Sequence, residues 1–238
     1  MTKDDSLKQL TARLQQAFGD QVVAVILYGS GAGDDYDEAY SDLNVMCVLN
    51  RLSVAELAAA ASVFHWWRGL GHPAPLLVTE QEVAGSTDCF AIEYQDMIDR
   101  RIVLAGKDVI HSLAIDRSFY RAQVEYELRS RLVRLRQKAA GVLEDKRKLV
   151  RLMTDSVTTF LVLARHALAL AGTQASSRRE GVIDALESRF AIDPSPFRTL
   201  VDVRTGKRKP ATLDAKAVFA QYLRSAGELV AAVDRLEK

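Results

Sequence analysis

The chain has 238 residues, 48% of them apolar and 26% charged, with a net charge of +1, a balance that excludes disordered and fibrous classes and is enough for one large domain or two modest ones. The opening MTKDDSLKQLTARLQQAF has no apolar run behind a basic start, so it does not read as a signal peptide, and the apolar stretch from Val157 to Leu170 holds Arg165 and His166 and is too short to span a bilayer. The two cysteines, Cys47 and Cys89, are therefore expected as reduced thiols of a cytoplasmic protein.

Ser6 to Phe18 carries leucines at 7, 10 and 14 followed by Phe18, the spacing of an amphipathic helix that Gly19 and Asp20 stop. Gln21 to Tyr28, QVVAVILY, reads as a buried strand ending at Gly29-Ser30-Gly31, and the polar loop AGDDYDEAY follows. From Ser41 the sequence SDLNVMCVL is strand-like again, with Leu43 and Val45 on one side and Asp42, Asn44 and Met46 on the other. Ser53 through Gly69 predicts a helix with a Ser cap and Glu56 at the capping-box position. Pro73 and Pro75 break the chain, APLLVT is a short strand, and Thr79 with Glu82 predicts a small capped helix. Asp88 to Asp96 contains CFAIEY, expected as a further strand, leading into a helical turn that ends near Gly106. This order of elements predicts an α/β domain, α+β in character, around a small mixed sheet over residues 1–115.

Past Asp116 the character changes. Residues 117 to 172 contain no proline, and apolar positions recur at helical intervals, as in Leu128, Leu132 and Leu135, then Leu149, Leu152 and Val157. Two long helices breaking around Gly141 to Asp145 are expected, then a TQASS loop, a helix from Arg178 to Phe190, a turn at AIDPSPF, a hydrophilic loop at VRTGKRKP, and a last helix from about Leu213 to Leu236. Residues 116–238 thus read as an all-helical bundle domain. Charge divides in the same way: residues 1 to 116 carry a balance of −9 and residues 117 to 238 a balance of +10. The basic side chains concentrate in residues 129 to 151, 9 Lys and Arg against 2 acids. They form either the solvated face of a long helix, which is favoured, or a surface for polyphosphate or nucleic acid; no aromatic interleaving supports the second.

Residues 27 to 49, LYGSGAGDDYDEAYSDLNVMCVL, carry the chemistry. Gly29 and Gly31 let amide hydrogens approach an anion and Ser30 adds a hydroxyl, so this corner suits phosphates, and Asp42 is placed to hold a divalent cation against them. It is not a P-loop, since no GxxxxGK[ST] is present. The plainer alternative is a polar Asx pair, Asp42 and Asn44, closing a turn at a strand start. The acids Asp34, Asp35, Asp37 and Glu38 lack calcium-loop spacing, and His65, His72, His111 and His166 show no zinc spacing. Of Trp66 and Trp67, adjacent on a helix, only one can face the core.

This region resembles the signature of the nucleotidyltransferase superfamily that shares its fold with DNA polymerase beta and includes antibiotic nucleotidyltransferases: an apolar strand, Gly-Ser, a loop, then Asp, an apolar residue and a second Asp. Gly29 and Ser30 match the turn that contacts the triphosphate, and Asp42 matches the first metal-binding carboxylate. Asn44 falls on the second, and the loop lacks the basic residue that many members carry between the positions matching Ala32 and Gly33. The resemblance implies a third carboxylate on a later strand, assigned to Glu93; an edge position exposed to water is the plain account of that residue. It further implies Mg²⁺ held by Asp42 and Glu93, an NTP as substrate or ligand, and Asn44 assisting. Transfer of a nucleoside monophosphate to a hydroxyl acceptor, with release of pyrophosphate, is then the expected activity. Because an amide oxygen brings no negative charge to a site built for two cations, the alternative is a nucleotide-binding or regulatory protein on the same fold. A helical adaptor whose N-terminal domain is only scaffold is the third reading.

Overall fold

The structure is a computed structural model that describes residues 2–33, 42–116, 118–173 and 178–236. It forms two compact units, Met1–Arg117 and Ser118–Lys238.

The first unit is built on a four-stranded sheet of order β3-β2-β1-β4. Strands β1 (Val22–Tyr28), β2 (Asn44–Leu49), β3 (Leu76–Thr79) and β4 (Arg101–Gly106) are joined by helices α1 (Lys3–Phe18), α2 (Val54–Gly69), α3 (Glu80–Gly85) and α4 (Ala91–Asp99). The central β1 pairs antiparallel with both β2 and β4, while β2 and β3 run parallel. A mixed sheet of this kind needs both faces covered where its strands are apolar throughout. One face of Val25, Leu27, Leu43, Val45 and Cys47 is buried under Leu10 and Leu14 of α1 and Ala60, Val63 and Trp67 of α2. The other, Ala24, Ile26, Met46 and Val48, is covered by Val83 of α3 and by Tyr94 and Met97 of α4. The period-two split expected for β2 is therefore present, residue by residue.

Local caps explain where the helices start. Thr2 accepts from the Asp5 N–H and opens α1 ahead of the expected Ser6. Ser53 with Glu56, and Thr79 with Glu82, form complete capping boxes, as their spacing predicts. Trp67 is fully buried, whereas Trp66 lies beneath the Arg13 guanidinium, 4.3 Å from the ring centroid.

The segment around CFAIEY is a correction. It is not a strand: Ala91–Asp99 is helix α4, and the stretch expected as a helical turn, Arg101–Gly106, is strand β4. Ala91, Tyr94 and Met97 recur every third residue and all are buried, so the helical period gives this segment one coherent apolar face. Arg101 fixes the junction by donating through Nη1 to the Met97 and Ile98 carbonyls at the helix end.

The second unit is all helical, with α5 (Tyr120–Ala140), α6 (Lys146–Leu170), α7 (Arg179–Phe190), α8 (Ser195–Arg204) and α9 (Ala215–Asp234). Phe160 of α6, Phe197 of α8 and Tyr222 of α9 meet edge to face at its centre, with ring centroids 5.7 and 5.5 Å apart. Helix α8 falls where only a turn is expected; Pro196 sits in its first turn, where the missing N–H costs no helical bond. Among the described residues no helix is long and apolar enough to cross a membrane. The fold is thus a mixed α/β unit followed by a helical bundle.

Candidate functional site

Directly after Tyr28, residues Gly29–Ala32 turn in a short 3-10 segment. Gly29 has φ +71°, a left-handed conformation that favours glycine, and a Cβ there would stand 3.4 Å from Asn44 Nδ2. The pairing of Tyr28 with Asn44 across β1 and β2 produces this approach. Gly31 is buried, and a side chain there would meet Leu43 at 3.2 Å and Leu27 at 3.3 Å. With Leu43 in the core beneath α1 and α2, Asn44 belongs to the opposite face, while Asp42 precedes the strand and is exposed. Turn and strand start therefore form one corner at the end of the sheet.

Glu93 lies on the exposed side of α4 rather than on a strand. Burial pushes the Tyr28 phenol up to about 12, and the Glu93 charge adds to that rise, so this carboxylate is felt at the same end of β1. Asp42 is felt by His72, a residue that sequence reasoning left aside. Burial lowers the His72 pKa and the Asp42 carboxylate opposes that shift. The imidazole packs on Trp67 with ring centroids 4.5 Å apart. Parallel pairing of β2 and β3 sets their beginnings side by side, which brings the link before β3 to Asp42. The Pro73 and Pro75 punctuation was the only signal of that link in the sequence.

The acids Asp34, Asp35, Asp37 and Glu38, with Ser41, lie outside the described residues. Among the described residues no group of three or more His, Cys, Asp or Glu is arranged to hold a metal ion. The residues that the resemblance assigns are two carboxylates, Asp42 and Glu93, and one amide, Asn44. A neutral amide oxygen can ligate Mg²⁺ but bridges two cations poorly. This donor set does not fit the pair of Mg²⁺ ions that the resemblance implies.

The nine Lys and Arg of residues 129–151 all lie on α5 and α6 and are exposed. Arg129 pairs with Glu125, Arg131 with Glu127 and Arg151 with Asp155, each one helical turn apart, and Lys148 pairs with Asp145. These are the ion pairs of a solvated helix face.

By sequence, no protein-family model matches the chain and no curated protein matches it. By structure, it is similar to a spectinomycin adenyltransferase from Enterococcus faecialis solved with ATP and spectinomycin: TM-score 0.62 and 13% identity, covering 96% of this chain and 99% of that one. The likeness thus runs through the mixed sheet and the helical bundle alike, and the chain shares the fold of that adenyltransferase.

Proposed function

We propose that this protein binds a nucleoside triphosphate at the corner formed by Gly29, Ser30, Gly31 and Asp42, and that its transfer chemistry is attenuated at Asn44. The observation carrying this reading is the contact between the Gly29 turn and Asn44 at the start of β2, on a nucleotidyltransferase-like fold. The turn supplies backbone amides and the Ser30 hydroxyl to phosphate oxygens. Asp42 is exposed, so its carboxylate is accessible to a cation that accompanies the nucleotide. Glu93 stands at the same end of β1, on a helix, as a second carboxylate. Where the resemblance calls for a second carboxylate beside Asp42, Asn44 supplies a neutral amide, which stabilises the charge of a transferring phosphoryl group less well.

Full nucleoside monophosphate transfer to an acceptor hydroxyl is the second reading. It is favoured by the extent of the likeness to an adenyltransferase, which includes the helical unit as well as the sheet.

Calorimetric titration with ATP, GTP, CTP and UTP, with and without Mg²⁺, tests the first reading. Binding of at least one nucleotide is expected, at least tenfold weaker in Asp42→Ala when Mg²⁺ is present. No binding of any nucleotide by the natural protein would overturn it. A pyrophosphate-release assay with hydroxyl-bearing acceptors separates the two readings. Release by Asn44→Asp alone marks the natural protein as attenuated; equal release by the natural chain establishes transfer instead.

A further inference from the structure

Arg100 lies across the backbone of Gly33. A side chain at Gly33 would place its Cβ 3.1 Å from Arg100 Nη1 and 3.3 Å from Arg100 Cδ. The Gly33 φ of −117° is open to any residue, so the approach of Arg100, and not backbone conformation, is what a side chain there would oppose.

The position of Arg100 follows from the sheet. Its N–H donates to the Asp96 carbonyl at 2.9 Å as the last bond of α4. Its successor Arg101 pairs with Tyr28, the last residue of β1. Antiparallel pairing therefore carries Arg100 alongside the residues that follow Tyr28, which are those of the glycine turn. Lys3 Nζ also reaches that turn, donating to the Gly31 carbonyl at 2.6 Å and tying the turn to the start of α1. Two cations distant in sequence thus meet one glycine-rich turn. A guanidinium is planar and presents several donors in a fork that matches phosphate oxygens. Asp42 and Glu93 bring negative charge to the same end of the sheet, so an anion seated there requires positive charge in close contact.

We propose that Arg100 is a polyphosphate-binding residue: its guanidinium, laid over Gly33, holds the phosphates of a nucleotide seated on the Gly29–Gly33 turn, and Lys3 positions that turn through the Gly31 carbonyl. This inference rests on the nucleotide-binding reading above.

The test is calorimetric titration of the full chain, Arg100→Ala, Arg100→Lys and Lys3→Ala with the four NTPs, the matching NMPs and inorganic tripolyphosphate. Arg100→Ala is expected to weaken NTP and tripolyphosphate binding about ten- to hundredfold and NMP binding much less. Arg100→Lys keeps the charge without the fork and falls between. Lys3→Ala weakens both nucleotide series by a similar, smaller factor, because it acts through the turn. Arg51→Ala, beyond the opposite end of β2, serves as a control with unchanged affinity, and thermal melts followed by ellipticity report folding of each variant. If Arg100→Ala does not fold, Arg100→Lys and Arg100→Gln carry the comparison. Unchanged NTP affinity in folded Arg100 variants, or equal weakening of NTP and NMP, overturns the role of Arg100 and leaves nucleotide binding standing. Failure of the natural chain to bind any NTP overturns both.

Discussion

Asp108 shows how a single side chain ties strand to loop in the first unit. Its carboxylate accepts from Arg101 Nε at 2.9 Å and Nη2 at 2.8 Å, and from the N–H groups of Ile110 and His111. The Arg101 hydrogen bonds come first among the causes that hold the Asp108 pKa below its ordinary 3.8. A carboxyl depressed in the folded state contributes stability that is fully present above pH 3.8 and is lost as pH falls through the folded value. With Asp108 33% exposed, solvent screening limits the effect. Asp108→Asn is expected to cost about 1 kcal/mol at neutral pH and to flatten the loss of stability below pH 4, as measured by urea titrations at stepped pH with tryptophan emission as the probe. At the same scale, the sequence made the glycine turn, Asp42 and Asn44 legible, because the chemistry of those residues is visible in their identity and spacing. It left Arg100, Lys3 and His72 unmarked. Each of them reaches the corner through strand register or chain reversal, and a one-dimensional motif carries neither.

Elements whose boundaries are set by local hydrogen bonds were legible, since the partners lie within one turn of each other. The capping boxes of α2 and α3 are the clear cases. From Cys89 to Gly106 composition points to strand before helix, the reverse of the fold, because FAIEY has the composition of a strand and its burial is decided by what packs on it. Helix α4 makes this difference measurable. On a helix Tyr94 faces the sheet, 5% exposed, while Gln95 lies to one side; on a strand Glu93, Gln95 and Met97 would share a face. Tyr94→Ala is therefore expected to lower stability by about 3 kcal/mol and Gln95→Ala by about 0.5 kcal/mol or less, compared by denaturant midpoints. A larger loss in Gln95→Ala would restore the strand reading. Placing Glu93 on a helix also alters its part in the candidate site, since it reaches the end of β1 from above the sheet and not from within it.

Across the whole molecule, each unit buries its own set of apolar side chains, and the charge asymmetry follows the two halves of the chain. Both tryptophans lie in the first unit, so their emission reports the sheet, while α5 to α9 supply most of the helical ellipticity. Phe160, 1% exposed against Tyr222, anchors the helical unit. Phe160→Ala is expected to cost that unit about 3 to 5 kcal/mol, read as an earlier loss of ellipticity in urea. Hydrophobic period along the chain dictates the change from mixed sheet to helical bundle, and residue type dictates the chemistry of the glycine turn. That α4 is a helix and β4 the edge strand beside β1, and with that pairing which cation lies over Gly33, follows from packing between distant segments. The reason is physical: periods and caps are short-range properties of the chain, whereas strand partners are chosen by the burial of faces that lie far apart along it.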